Sequence, residues 1–382
     1  MAEAAGAAEV APLHGGLPDE IVVWEVLVRL PPKSLLRCRA VCPAWRRVTS
    51  TRDFLLAHHD RQPSLPLLCV YCYNLLSAYG ISLDVIPFDH RAGLAAVDQL
   101  KSIARLGKSY FGVRASCDGL LILCGLYRNL DYSICNPATR QHARLPQLDG
   151  FAFLGMYPHS PTGEYRLLLE KPSYAPAIQG GYYVFTLGSD QPPRRCPDDA
   201  EHMIQELSAV LFRGSLHWHV EQHGTASNMI KVFSTTTESF RRMRAPALPG
   251  KAHLFEMDGT LGMSSFNDAA TTIDIWMTQD YESEAWALKY RVELLATAEV
   301  TVMFGIGRFD GRWSVAPSLD GDVLVLVEFG DWLIQIDMDS KVVASFQRAL
   351  RCTDQLRLKQ SLVPHSFFPT LEGYVVNDSP FM

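Results

Sequence analysis

Residues 17–45 read LPDEIVVWEVLVRLPPKSLLRCRAVCPAW, and this stretch decides how the chain divides. Pro18-Asp19-Glu20 reads as a helix start: proline is tolerated in the first turn, and acids there complement the positive end of the helix. Ile21, Trp24, Leu27 and Val28 recur at three- and four-residue steps, the spacing of one helical face. Pro31-Pro32 must end that helix, because proline lacks an N–H and disfavours helix in the residue before it. A second helix is expected from about Lys33-Ser34, with Leu35, Leu36, Cys38 and Val41 as its apolar positions. A third carries Trp45 and ends near Thr49-Ser50. Three short helices bury little core, and domains that small are marginal without a staple. With no evident disulfide or metal framework, a partner is the expected staple.

Taken in order, these residues resemble an F-box. The positions that carry the likeness are Leu17-Pro18, an acid, Ile21, Leu27, Arg29-Leu30-Pro31, Lys33-Ser34-Leu35, Arg39, Val41-Cys42 and Trp45-Arg46. The resemblance implies docking on the small Skp-type adaptor of a Skp–cullin–F-box ubiquitin ligase and, through it, on a cullin–RING module. The residues expected to form that surface, partly packed internally and partly against the adaptor, are Leu17, Pro18, Ile21, Leu27, Leu30, Pro31, Leu35, Val41 and Trp45. Two departures stand out. Trp24 adds one residue to the commonest spacing between Leu-Pro and Arg-Leu-Pro, and Pro43 sits where the family usually has a lysine or arginine. A proline inside a helix costs about 3 kcal/mol, but at a helix start it costs little.

The chain has 382 residues, 48% hydrophobic and 20% charged, which excludes a disordered protein. Its formal net charge is −6, yet Arg29 to Arg52 holds seven Lys/Arg and no Asp/Glu. Such a block reads as a basic helical face toward solvent or an acidic partner; no nucleic-acid motif accompanies it, so no nucleic-acid partner is expected. Nine cysteines, odd in number and irregular in spacing, suit reduced thiols of an intracellular protein, in the cytoplasm or nucleus. Residues 1–16 form an Ala-rich lead without Lys or Arg, read as disordered and not as a signal peptide. Gln62 to Leu83 is uncharged but broken by Pro63, Pro66, Asn74 and Gly80. Two strands turning near Asn74 are expected there, and no membrane span.

The expected organisation is therefore α+β and multidomain: the lead at 1–16, a helical F-box at 17–60, and a large, mostly antiparallel all-β domain at 61–382. Phe54 to Asp60 extends the helical part. Arg91 to Leu106 is an ambiguous helix, with Leu94, Val97, Leu100 and Ile103 stepping by three. The rest alternates short strands and turns, for example Leu120 to Cys124, Tyr132 to Cys135, Tyr182 to Leu187, Ser215 to His219, Thr272 to Met277 and Trp332 to Ile336 with Val342 to Phe346. Turn glycines at 119, 163, 214, 259 and 321 recur at 44, 51, 45 and 62 residues. Propeller blades repeat at about 40–50 residues, so a propeller is expected, with an irregular β-sandwich as the alternative.

The resemblance extends here. Ser133 to Arg140 (SICNPATR), Gly214 to Trp218 (GSLHW) and the block from Val232 to Met243 are similar to landmarks of the F-box-associated domain of plant F-box proteins. Tyr183 to Ser189 (YVFTLGS) is similar to related sequences in grasses. The likeness implies a propeller-like domain that recruits a protein substrate and names no catalytic residue.

The search for chemistry finds no assembled site, so no enzyme, metal or cofactor is expected. Cys69-Val-Tyr-Cys72 has knuckle spacing but no second pair to complete a zinc site. His217 and His219 share a strand face, and His223 follows; lone strand histidines are more often hydrogen-bonded residues. Gly305 to Gly311 misses a dinucleotide fingerprint, with Asp310 where glycine is required. The rivals are a propeller-type enzyme or metal- or sugar-binding protein with a helical extension, and an adaptor-bound scaffold without ligase function.

Overall fold

A computed structural model describes residues 18–73, 81–88, 101–107, 111–125, 132–146, 150–171, 180–197, 209–220, 229–248, 251–267, 271–294, 312–317, 323–330, 332–347 and 350–382. The helical part opens with α1 (Asp19–Ile21), which passes into a π-helical turn at Val22–Val26 and a 3-10 turn at Leu27–Arg29. A π turn closes on i→i+5 bonds and so holds one residue more than an α turn; the Leu27 N–H reaches the Val22 carbonyl. The additional residue around Trp24 is absorbed there, which rotates the upstream segment. Val22, Val23, Leu27 and Val28 are consequently the buried set, while Ile21 and Trp24 face out. The single face expected from a 3.6-residue period is corrected accordingly.

The two proline positions set the remaining helix ends. Pro31 caps α2 (Pro32–Val41) in an extended conformation, and Pro32 occupies its first turn. Cys42, at φ −138° and ψ 123°, is extended as a residue before proline prefers. It breaks α2 from α3 (Pro43–Thr49), so Pro43 stands at a helix start where no N–H is lost. Arg39 bridges the two helices, donating to Thr49 Oγ1 at 3.1 Å and to the Thr49 carbonyl. A fourth helix, α4 (Arg52–Arg61), is capped by Thr51, whose hydroxyl accepts the Phe54 N–H. Its Phe54, Leu55 and His58 complete the inner face.

Six antiparallel sheets follow, in an order that closes a ring. The first blade pairs β1 (Ser64–Tyr73), β2 (Ile81–Pro87) and β3 (Ala104–Leu106) with a strand from the far end of the chain, β24 (Leu350–Lys359). β1 and β2 match the hairpin expected near Asn74, whose turn lies outside the described residues. Ala104–Leu106 is strand, not helix; residues 91–100 of that ambiguous segment lie outside the described residues. The second blade comprises β4 (Phe111–Cys117), β5 (Leu120–Gly125), β6 (Tyr132–Asn136) and β7 (Gln141–Arg144), with β25 (Val375–Val376) added at its edge. Four-stranded blades then follow as β8–β11 (Ala152 to Arg195), β12–β15 (Val210 to Arg244), β16–β19 (Ala252 to Glu293) and β20–β23 (Trp313 to Gln347). The sandwich alternative is excluded by this order. Gly119, Gly163, Gly214 and Gly259 sit at positive φ in the first hairpin of blades two to five; Gly321 lies outside the described residues.

Each pair of neighbouring blades shares a core. Leu67 and Cys69 pack toward blade two beside Leu121 and Leu123, whereas Leu68, one residue along, packs toward blade six beside Leu326 and Leu333. Successive strand residues point to opposite faces, and both faces of a blade are covered. That is why Leu120 to Cys124 and Val323 to Val327 read as unbroken apolar runs.

Candidate docking face

The helical unit separates its apolar residues into two sets. Inward, Val22, Val23, Leu27, Val28, Leu35, Phe54 and Leu55 form one cluster, with Leu30, Trp45, Cys38 and Val48 half-buried against it. Outward, Ile21 is 43% exposed, Trp24 37% and Val41 75%, and Val26, Leu36 and Leu56 are exposed as well. Of the residues expected on the docking surface, Pro18, Ile21, Pro31 and Val41 face out; Leu27 and Leu35 serve the inner core; Leu30 and Trp45 straddle both. Leu17 lies outside the described residues. Sequence reasoning groups Trp24 with Leu27 and Val28 on one helical face and does not place Trp24, Leu36, Val26 or Leu56 on the docking surface. Only the π turn and the depth of α4 reveal those positions.

Leu30 has a second role through its backbone. Its carbonyl accepts from His58 Nε2 at 2.8 Å and from Gln62 Nε2 at 3.2 Å. Burial lowers the pKa of His58, which suits a neutral ring donating from Nε2. Lys33, Arg37, Arg46, Arg47 and Arg52 are exposed around these helices. Exposed apolar and basic side chains therefore share α2 and α3, while the exposed acids Glu20, Glu25, Asp53 and Asp60 fall outside those two helices.

The staple expected from a partner is in part the chain itself. Leu362, just past β24, is buried in the helical cluster, with Val363 and Ala138 packed against it. The outer face remains uncovered by this contact.

The motif landmarks turn out to be latches. In SICNPATR, buried Asn136 accepts the Ala138 and Thr139 N–H groups on Oδ1 and donates to the Ser361 carbonyl at 3.0 Å. In GSLHW, Trp218 is wholly buried between blades three and four. His217 donates from Nδ1 to the Ser215 carbonyl at 3.0 Å and accepts the Tyr281 hydroxyl on Nε2 at 2.7 Å. Both ring nitrogens are thus committed to protein partners, unlike a metal ligand's; burial pulls the pKa of this histidine down to about 4. His219 is buried in the same strand, and His223 lies outside the described residues. In the third landmark, Glu238 accepts from Tyr157 at 2.8 Å, from Arg166 at 2.7 Å and from Arg194, tying blade four to blade three. Those hydrogen bonds hold its carboxyl below the usual range despite burial.

Among the described residues no group of three or more His, Cys, Asp or Glu is arranged to hold a metal. Cys69 is buried in the core, where desolvation pushes its thiol up to about 12; the side chain of Cys72 and the Gly305–Gly311 segment lie outside the described residues. A cavity of about 180 Å³ opens among the inner strands, lined by Ser116, Asp118, Val210, Glu256, Arg357 and Lys359. None of the described helices is long and apolar enough to cross a membrane.

Comparison with known proteins gives two matching families. Residues 15–62 match the family described as F-box-like, and residues 94–304 match the F-box associated beta propeller domain. An F-box protein of Arabidopsis thaliana is 24% identical over 311 residues, covering 72% of this chain and 79% of the relative. F-box only protein 8 of the same plant is 26% identical over 257 residues, covering 61% and 81%. A solved structure of a protein from Listeria monocytogenes superposes with a TM-score of 0.41 at 9% identity, over 75% of this chain and 81% of that one.

Proposed function

We propose, from the premise that this chain belongs to the F-box-associated β-propeller family of plant F-box proteins, that it is a substrate-receptor subunit of a Skp–cullin–F-box ubiquitin ligase. The observation that carries the reading is the two-sided helical unit. One apolar face is closed on its own core and on Leu362, while Ile21, Trp24, Val26, Leu36, Val41 and Leu56 stand exposed within this one small unit; among the other described residues the exposed large apolar side chains are Leu288, Val343, Val376 and Met382. Such a face fits a partner surface that is apolar at its centre and acidic at its rim.

In this reading the chain contributes binding and no bond-making group. The helices hold the adaptor, the propeller holds a target protein, and the ubiquitin-charged enzyme comes with the cullin–RING module. The rate gain is that of raised effective concentration of target lysines. No nucleic acid, membrane or cofactor enters the scheme.

The test is direct. Purified full-length protein mixed with the adaptor is expected to elute as a one-to-one complex, and Ile21→Asp with Val41→Asp to abolish it without changing the melting profile. A double variant that still captured the adaptor would refute the docking face. Reconstitution with the cullin module, scored for autoubiquitination, separates a receptor from a scaffold. Stoichiometric metal on the purified protein would favour the rival metal-binding propeller.

A further inference from the structure

The helical unit is rooted at the seam where the ring closes. α4 ends at Arg61 and β1 begins at Ser64, while β24 ends at Lys359, and Ser64 and Lys359 are register partners in adjacent antiparallel strands. The chain thus enters and leaves the ring at one point. The four residues after β24 then run back along the helices. The Gln360 carbonyl accepts from His59 Nδ1 at 3.4 Å, the Ser361 carbonyl accepts from Asn136, and Leu362 enters the helical core.

Blade two clamps this strap from the other side. Gly119, at φ 84°, lies so close that a Cβ there would stand 2.5 Å from Ser361 Cβ and 2.7 Å from its nitrogen. Asp118 beside it faces His59 Nε2 at 3.5 Å and accepts the Tyr165 hydroxyl at 2.9 Å. Tyr165 in turn packs edge-on against His365 and Phe367, further along the strap. Two chain crossings, a buried amide clasp, the His59–Asp118 contact and a shared core therefore span the boundary between helices and propeller. A flexible linker would show none of these.

We propose that this strap is a rigid joint fixing the angle between the docking helices and the propeller, with Asn136 as its positioning residue and Gly119 giving it room. Asn136 acts by holding both the strap, through Ser361, and the Ala138 turn that packs on the helices. The fixed angle sets how far a target held on the propeller lies from whatever docks on the helices. Its bearing on ubiquitin transfer rests on the receptor reading; the joint itself does not.

The test needs no adaptor. Spin labels are placed on the full-length protein at two exposed sites, Leu36→Cys on α2 and Leu288→Cys on blade five, with half-buried Cys38 and Cys42 replaced by alanine and serine. The parent is expected to give one narrow distance distribution, and Asn136→Ala to broaden or split it while the β-sheet circular dichroism stays unchanged. Asp118→Asn, a milder change at the same joint, is expected to broaden it less and covers the case in which Asn136→Ala fails to fold. A broad distribution in the parent overturns the proposal, as does a narrow one retained in the folded variants. A preserved joint in a protein that ignores the adaptor would sink the receptor reading alone.

Discussion

The Tyr281 hydroxyl stands 2.7 Å from His217 Nε2 and joins blade five to blade four, with Arg241 Nη2 donating to the same hydroxyl at 2.7 Å. The direction of every proton follows: Arg241 gives to Tyr281, Tyr281 gives to His217, and His217 gives to a backbone carbonyl. A protonated His217 would have to reverse its bond to Tyr281 and would carry its charge wholly buried, near Arg241.

That chain of donors makes the fold acid-sensitive. The folded His217 titrates at about 4, below the ordinary value of 6.5, so the unfolded chain takes up a proton that the folded one refuses. Stability is expected to be lost as pH falls below about 6.5 and to level off below about 4. The slope is roughly 1.4 kcal/mol per pH unit for this group, about 3 kcal/mol across the window. Urea midpoints at pH 7.5, 6 and 5 would read it, and His217→Gln is expected to reduce the slope by this group's share only, because burial also lowers the pKa of His142, His253 and His365. A parent equally stable at pH 7.5 and 5 contradicts the assignment.

Two arginine pairs with equally short contacts, one a buried fork and one a single exposed bond, are expected to differ in worth. Arg291 grips Asp274 through Nε at 2.6 Å and Nη2 at 2.9 Å, and the Asp274 side chain is only 4% exposed. Arg291→Ala leaves a buried carboxylate without its fork and is expected to cost about 2–4 kcal/mol. Arg29 and Glu25, one helical turn apart and both exposed, make a pair at 2.6 Å. Arg29→Ala is expected to change stability by less than about 0.5 kcal/mol. Chemical denaturation of the two variants compares them; equal losses would argue against burial as the deciding factor.

Pro43 is expected to be nearly silent. It stands at the first position of α3, where no helical N–H is lost. Pro43→Ala is expected to shift stability by less than about 1 kcal/mol, chiefly by loosening the unfolded chain. Ala40→Pro, inside α2, is expected to cost about 3 kcal/mol. Thermal melts of both variants decide whether the boundary lies where Cys42 turns extended.

Trp24 is expected to matter for docking more than for folding. Its ring lies 5.6 Å from that of Phe54 and remains partly exposed. Trp24→Ala is expected to weaken adaptor binding by about tenfold, in the range of a well-buried aromatic anchor, with little change in helix content. Calorimetric titration measures it, and an unchanged Kd would remove Trp24 from the interface.

Much of this was legible in the residues because local rules acted alone. The proline pair at 31–32 ends one helix and starts the next whatever lies around it. Gly119, Gly163, Gly214 and Gly259 mark hairpins because a left-handed turn excludes most side chains. The F-box and propeller landmarks were readable as motifs, and their families match. The single helical face expected for Ile21, Trp24, Leu27 and Val28 splits in the structure, because a 3.6-residue period assumes α geometry and a single π turn shifts the phase.

By itself, then, the sequence determined the division into front helices and blade-length β repeats, since helix ends, turns and doubly buried strands are written in neighbouring residues. Only the tertiary structure decided the rest: six blades closed by pairing β24 with β1, landmarks such as Asn136 and Glu238 serving as latches, and the helices seated on their own strap. Those outcomes depend on contacts such as Asn136 to Ser361, 225 positions apart. No periodicity encodes them, because they exist only once the ring has brought its two ends together.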